Sequence, residues 1–160
     1  MTNSNYTDDG VFEISWTNIE SGAKAITKNI SKFESKPDVI ISSQEDVVAA
    51  SLVCNEVDLP LCVAHLERRV NGMLVDCLPK LARPIRSGEY SQASMPSIVI
   101  VSTLVDNKRN VNGLIKHYEK LGHNVTTMSI YSRKNVENPP DYYWTYLLAS
   151  VTCRFPWEKL

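Results

Sequence analysis

The chain has 160 residues, 43% hydrophobic and 22% charged, with a formal net charge of −1. This length allows a sizeable hydrophobic core, and the two fractions are those of an ordinary globular protein. A near-neutral chain has no overall basic field to attract nucleic acid or an anionic membrane, and no apolar run reaches the roughly 20 residues that span a bilayer. We therefore expect neither nucleic acid nor a membrane as a partner.

The first ten residues, MTNSNYTDDG, are polar and acidic and lack the apolar stretch of a signal peptide. We expect residues 1–10 to be a disordered lead-in and residues 11–160 to form a single domain. The three histidines offer no closely paired metal ligands, and no CxxC spacing occurs among the four cysteines, Cys54, Cys62, Cys77 and Cys153. This pattern favours buried thiols in a reducing cytoplasm, and no residue is assigned as a metal ligand.

The N-terminal half alternates short apolar runs with amphipathic periods. Val11–Trp16 is a strand-like run, and after Thr17 apolar residues recur at steps of three or four until Pro37. Asp46 and Ser43 are both candidates to cap the next helix. The pattern predicts helices over 17–34 and 46–57 and strands over 39–42 and 61–65.

Residues 67–96 differ in kind, because they contain three prolines and two glycines and keep no sustained period. A short strand is expected over 72–78, and the rest is predicted to be a long loop. Long loops inside compact domains are usually functional or disordered. We expect this segment to be the least ordered internal region.

Order returns with a strand over 98–102, a helix over 111–121 ended by Gly122, and a strand over 125–131. The aromatic-rich tail is expected to form a small C-terminal hood. Apolar strands alternating with amphipathic helices predict an α/β fold with a central parallel β-sheet flanked by helices. Ligands of such sheets bind beyond the carboxyl ends of the strands, which selects the loops 42–46 and 102–110.

Three motifs resemble the type I phosphoribosyltransferases, especially their xanthine and hypoxanthine–guanine members. "ISW" at 14–16, followed by a helix, is similar to the opening of that family. "VIVSTLVDNKRNV" at 99–111 lies without gaps over its signature of an apolar strand, two acids, two spacers, an Asp and a phosphate loop. "FPWE" at 155–158 matches the closing motif, so the resemblance covers about residues 11–158.

The resemblance implies transfer of a phosphoribosyl group from phosphoribosyl pyrophosphate (PRPP) to a purine-type base, with magnesium, as in nucleotide salvage. The implied roles are pyrophosphate binding by Ser43, Gln44, Glu45 and Asp46; ribose binding by Ser102 and Thr103; catalysis near the base by Asp106; phosphate binding by Asn107, Lys108, Arg109 and Asn110; and base binding by Arg133, Lys134, Val151 and Thr152.

Two departures affect the PRPP end of this site. Ser102 and Thr103 replace the acidic pair of the family and bring no charge to magnesium, so Mg²⁺ is expected only together with a phosphorylated ligand. Glu45 and Asp46 stand where the family has basic and small residues, and each would repel a pyrophosphate by about 1–4 kcal/mol. The alternative for these two acids is a helix first turn, where they favour the helix dipole.

The phosphate and base ends also depart from the family. Lys108 and Arg109 replace small residues, so the turn either binds phosphate through charge or is a solvated basic turn. Asp106 is either catalytic or a turn residue that bonds its own backbone. The stacking aromatic expected near residue 152 is absent, and the nearby tail aromatics are candidates for either stacking or packing: Tyr142, Tyr143 and Trp144.

Three functions remain open from the sequence. The first is a purine-type phosphoribosyltransferase with altered loops. The second is a non-catalytic nucleotide-binding or regulatory protein on that fold, and the third is different chemistry on a nucleotide without pyrophosphate. In each case the partner is a small nucleotide or a PRPP-like ligand, and a homodimer is the assembly considered.

Overall fold

The computed structural model describes residues 10–34, 36–69, 72–75, 95–106 and 111–158. The lead-in over 1–9, the phosphate turn over 107–110 and most of the predicted long loop lie outside the described residues. Within them the elements are β1 (Phe12–Glu13), α1 (Trp16–Thr27), β2 (Val39–Ser43), α2 (Val47–Val57), β3 (Leu61–Ala64), β4 (Leu66–Arg69), β5 (Gly72–Val75), β6 (Ser97–Val105), α3 (Val111–Lys120), β7 (Asn124–Arg133), β8 (Tyr142–Leu147) and β9 (Cys153–Arg154).

Five strands form one sheet in the order β3-β2-β6-β7-β8, and every neighbouring pair is parallel. The predicted central parallel sheet flanked by helices is confirmed. The edge strand β8 was not predicted, because its residues were assigned to the hood. Its sequence YYWTYL is rich in aromatic and β-branched residues, which favour a strand once a partner such as β7 is available.

The helices cover both faces of the sheet, as continuous burial of β6 requires. Successive β6 side chains point to opposite faces. Val99 and Val101 pack with helices α1 and α2, whereas Ile98 and Ile100 pack with α3. The core therefore has two layers separated by the sheet.

Helix α1 begins at Trp16, one residue before the start that the pattern predicted. Ser15 is its N-cap: the Ser15 hydroxyl accepts the Asn18 N–H, and the Ser15 N–H donates to the Asn18 side chain, both at 3.1 Å. The helix ends at Thr27, followed by a 3₁₀ turn over Ile30–Lys32, so the helix predicted over 17–34 was too long. Gly122 follows α3 at φ 89°, which confirms its predicted C-cap role.

The segment predicted as a long loop begins with a hairpin. Strands β4 and β5 pair antiparallel, with Arg69 opposite Gly72. The strand predicted over 72–78 is described as far as Val75. No helix in the described ranges combines the length and the apolar character needed to cross a membrane.

The first and last strands of the described chain pair with each other. Strand β1 runs parallel to β9, and the Phe12 N–H donates to the Thr152 carbonyl at 2.8 Å. Next to this ladder, the rings of Phe155 and Trp157 stack with centroids 5.0 Å apart, and Trp16 lies 5.8 Å from Trp157. The "ISW" and "FPWE" motifs are therefore in contact, and the predicted aromatic hood is present.

Candidate functional site

The two loops selected from the sequence lie side by side. Strands β2 and β6 are parallel neighbours, with Ile41 opposite Ile100, so their carboxyl ends meet at the same edge of the sheet. Ser43 ends β2, and Val105 ends β6. This edge is where an open α/β sheet presents its ligand crevice.

A buried carboxylate joins these two loops. One Asp46 oxygen, Oδ1, accepts the backbone N–H of Thr103 at 2.8 Å, and the other, Oδ2, accepts the Ser43 hydroxyl at 2.8 Å. Asp46 is only 3% exposed, and Thr103 is 57 residues away in the sequence. We call this arrangement the Asp46 bridge. Its two donors compensate a charge that would be costly to bury alone.

The bridge changes the role predicted for the first loop. Asp46 is the N-cap residue of α2 by position, but its side chain makes no capping bond, so the predicted capping role is wrong. The same is true of Ser43, whose hydroxyl donates to Asp46 instead. Glu45 is exposed and Gln44 is half-buried. Of the four residues assigned to pyrophosphate, two are therefore committed to internal contacts.

The hydroxyl residues that replace the acidic pair lie inside the protein. Ser102 is 2% exposed and Thr103 is fully buried. The Thr103 hydroxyl has no hydrogen-bond partner, and neither does the hydroxyl of Ser42 on the neighbouring strand. A buried polar group without a partner costs about 1–3 kcal/mol. Ribose binding by Ser102 and Thr103 stays a prediction, but neither side chain reaches the surface.

Magnesium binding together with a phosphorylated ligand stays a prediction. The described residues contain no cluster of three or more His, Cys, Asp or Glu side chains that would hold a metal without such a ligand. Asp106 follows β6 and is half-buried, and its catalytic role stays a prediction. The adjoining phosphate residues Asn107–Asn110 lie outside the described part of the chain, so their predicted role also stays open.

At the base end, the structure brings together Arg133, the last residue of β7, and Val151. The Arg133 Nη1 donates to the carbonyls of Leu148 and Val151, at 2.6 Å and 2.7 Å, and Nη2 lies 3.6 Å from the Cys153 sulfur. The exposed Lys134 follows in a turn. Two predicted base-binding residues thus contact each other directly.

The tail aromatics pack in the part of the chain described. Trp144 lies 5.8 Å from the ring of Tyr131, and Tyr142 lies 5.3 Å from Phe33. Burial, with a smaller contribution from Cys153, raises the pKa of Tyr131 to about 12, so its phenol is neutral near pH 7. For Tyr142 and Trp144 these contacts favour the packing alternative over stacking on a ligand.

Sequence reasoning missed the Asp46 bridge and the Arg133 contacts. The only local signal for the bridge is the Ser43…Asp46 spacing directly after a buried strand. That spacing also suits a helix cap, because short polar side chains often cap the helix that follows. Nothing near Asp46 in the sequence points to its second partner on β6.

Comparison with solved structures shows which known proteins share this fold. Neither the models of protein families nor the curated protein sequences match the chain. Among solved structures, the purine phosphoribosyltransferase from Pyrococcus horikoshii matches with a TM-score of 0.75 and 19% identity, covering 92% of this chain and 94% of that chain. The fold is that of a type I phosphoribosyltransferase.

Two further solved structures also match the chain over most of its length. The Helicobacter pylori xanthine-guanine-hypoxanthine phosphoribosyltransferase matches at TM-score 0.71 and 10% identity, over 92% of this chain and 91% of that one. A hypothetical protein from Neisseria gonorrhoeae with bound ppGpp matches at TM-score 0.65 and 14% identity, over 92% and 90%. Such identities establish the shared fold and leave function to the site.

Proposed function

We propose that this protein binds a purine nucleotide and does not transfer a phosphoribosyl group. The observation that carries the proposal is the Asp46 bridge. The Thr103 N–H at the end of β6 is bonded to a protein carboxylate, and that carboxylate stands in the segment assigned to pyrophosphate. A pyrophosphate brought within a few ångströms of this charge is disfavoured by about 1–4 kcal/mol.

The metal chemistry of the transfer reaction supports the same conclusion. PRPP is expected to react with magnesium at its ribose and pyrophosphate, and a hard cation prefers carboxylate oxygens. Ser102 and Thr103 offer hydroxyls in place of carboxylates, and both are buried. The parts of the site that would bind the ribose and the pyrophosphate of PRPP therefore both depart from the family.

A nucleoside monophosphate suits what the chain retains. Lys108 and Arg109 precede the start of α3 in the sequence, and charge-assisted bonds from two cations would favour a single phosphate. The related folds belong to purine phosphoribosyltransferases and to a protein crystallised with ppGpp, a guanosine nucleotide. We therefore propose a purine nucleotide as the ligand class, with a regulatory or carrier role.

Phosphoribosyl transfer to a purine-type base is the second candidate. It is favoured by the length of the structural match, 92% of this chain and 94% of the Pyrococcus enzyme. It also retains Asp106 at the carboxyl end of β6. This alternative requires PRPP to bind in spite of the Asp46 bridge.

Calorimetric titration separates the two candidates. GMP, IMP, ppGpp and PRPP are titrated with and without Mg²⁺, and pyrophosphate release is followed with hypoxanthine, guanine and xanthine. We expect saturable binding of GMP or IMP, PRPP binding at least about tenfold weaker, and no base-dependent pyrophosphate release. Tighter binding of PRPP with Mg²⁺, or release that depends on the base, would establish the transferase instead.

A double variant tests the phosphate end. Lys108→Ala with Arg109→Ala should weaken mononucleotide binding at least about tenfold and reduce its salt dependence, because charge-assisted bonds are lost. The matched control, Lys24→Ala with Lys28→Ala, removes the same charge from exposed positions near the end of α1. Equal effects of the two double variants would mean that the basic turn acts only through net charge.

A further inference from the structure

We infer that Arg133 is a positioning residue that fixes the turn over residues 148–151 at the base end of the site, and that it does not itself recognise the ligand. The inference deepens the proposed nucleotide binding, because it concerns which groups distinguish one base from another. It also departs from the role that the resemblance implies for Arg133, a cation that contacts the base.

The first support is how the guanidinium hydrogens of Arg133 are used. Nη1 carries two hydrogens, and it donates to two carbonyls, those of Leu148 at 2.6 Å and Val151 at 2.7 Å. Nη2 lies 3.6 Å from the Cys153 sulfur. Turning the guanidinium toward a ligand would break two short charge-assisted bonds. These two bonds hold the guanidinium of Arg133 against the turn before any ligand arrives.

The second support is that both carbonyls belong to one turn. The Val151 N–H donates to the Leu148 carbonyl at 3.2 Å and closes the turn that Arg133 spans. Lys134, next to Arg133, donates its backbone N–H to the carbonyl of Leu147 at 3.1 Å. The carboxyl end of β7 thus holds the chain at the start of the turn and at its end.

The third support comes from the other side of the segment. The Thr152 carbonyl accepts the Phe12 N–H at 2.8 Å, and Cys153 lies opposite Phe12 in the parallel ladder of β1 and β9. Val151 and Thr152, the residues assigned to the base, therefore lie between two fixed anchors. Discrimination between bases would then depend on the shape and backbone of this segment, with no cation from residue 133.

The experiment compares Arg133→Gln and Arg133→Lys with the matched control Lys24→Gln, which removes an exposed positive charge from α1 at a residue with no predicted binding role. Hydrogen–deuterium exchange is measured on the ligand-free protein over residues 148–154, and affinity is measured for IMP and AMP. These nucleotides differ at the purine 6-position, which is an oxygen in IMP and an amine in AMP. The first measurement reports the turn, and the second reports recognition.

We expect Arg133→Gln to speed exchange of the 151–154 amides at least about tenfold, because two charge-assisted bonds are lost. Arg133→Lys should restore part of the protection, since an ammonium can still bond one carbonyl, and Lys24→Gln should leave exchange unchanged. Both Arg133 variants should bind IMP and AMP more weakly by the same factor. The ratio of the two affinities should stay within about twofold of its wild-type value.

Unchanged exchange in both Arg133 variants would overturn the positioning role. A change in the IMP to AMP ratio of more than about tenfold in Arg133→Gln, reversed in Arg133→Lys, would show that the charge recognises the base. If the wild type binds neither nucleotide, the proposed function fails, and the exchange measurement still decides whether Arg133 fixes the turn. If Arg133→Gln does not fold, the Arg133→Lys comparison carries the same decision.

Discussion

Replacing Asp46 with alanine removes the carboxylate that joins the loop after β2 to the end of strand β6. It leaves the Thr103 N–H and the Ser43 hydroxyl without their shared acceptor in the interior. Hydrogen bonds to charged groups contribute about 1.5–3 kcal/mol each, so the two bonds amount to about 3–6 kcal/mol. Part of this is offset because the variant no longer buries a charge, and we expect a net loss of about 2–4 kcal/mol in the free energy of unfolding.

Asp46→Asn separates the hydrogen bonds from the charge. The asparagine oxygen can accept the Thr103 N–H, and its amide can donate to the Ser43 oxygen, so the geometry is kept while the charge assistance is lost. We expect a cost of about 1 kcal/mol for this variant. The matched control is Glu45→Ala, because Glu45 is adjacent but exposed and should change stability by less than about 0.5 kcal/mol.

Urea unfolding followed by tryptophan fluorescence measures these differences, since the chain has three tryptophans. The denaturant slopes should be equal among the variants, so that the midpoints report stability alone. The reasoning fails if Asp46→Ala lies within about 0.5 kcal/mol of wild type, or if Asp46→Asn costs as much as Asp46→Ala. The first result would mean that the bridge contributes no net stabilisation, and the second that neutral hydrogen bonds at this position contribute none.

Other features give further predictions. Gly22→Ala should destabilise by about 1–3 kcal/mol in the same urea assay, because a Cβ there would come within 2.7 Å of the Trp144 ring. Burial raises the pKa of Tyr118 and Tyr131 to about 12, whereas the unfolded chain ionises near about 10. The unfolded state loses these protons first, so stability should fall as the pH rises from about 10 to 12, and tyrosinate absorbance should follow unfolding. Mg²⁺ alone should leave the melting temperature unchanged, because the described residues hold no metal cluster. A rise in melting temperature with Mg²⁺ would contradict this.

The parallel sheet was predictable because each of its four predicted strands, β3, β2, β6 and β7, carries a local signal. Continuous apolar runs such as Ile98–Val101 indicate strands buried on both faces. Between these runs, apolar residues that recur every three or four positions indicate helices. Strand β8 escaped prediction because its aromatics, read alone, suit a hood as well as a strand. Only the presence of β7 as a neighbour decides between the two.

The site was harder to predict because its decisive contacts join distant parts of the chain or involve backbone atoms. Asp46 bonds a backbone N–H that lies 57 residues away, and Arg133 bonds the carbonyls of Leu148 and Val151. Backbone groups are the same at every residue type, so the sequence carries no mark of which one will be used. The motif positions were visible in the sequence, but the partners of these two side chains were not.

The pairing of β1 with β9 has a consequence for how the protein is made. Phe12 and Glu13 find their strand partners only at Cys153 and Arg154, so this ladder cannot form until nearly all of the described chain has left the ribosome. Contacts of such long sequence separation form late, after local helices and hairpins. The turn that Arg133 holds adjoins the same ladder. The segment that carries the predicted base-binding residues is therefore completed only once residues 153 and 154 are available, and a truncated chain ending before residue 153 would lack this ladder.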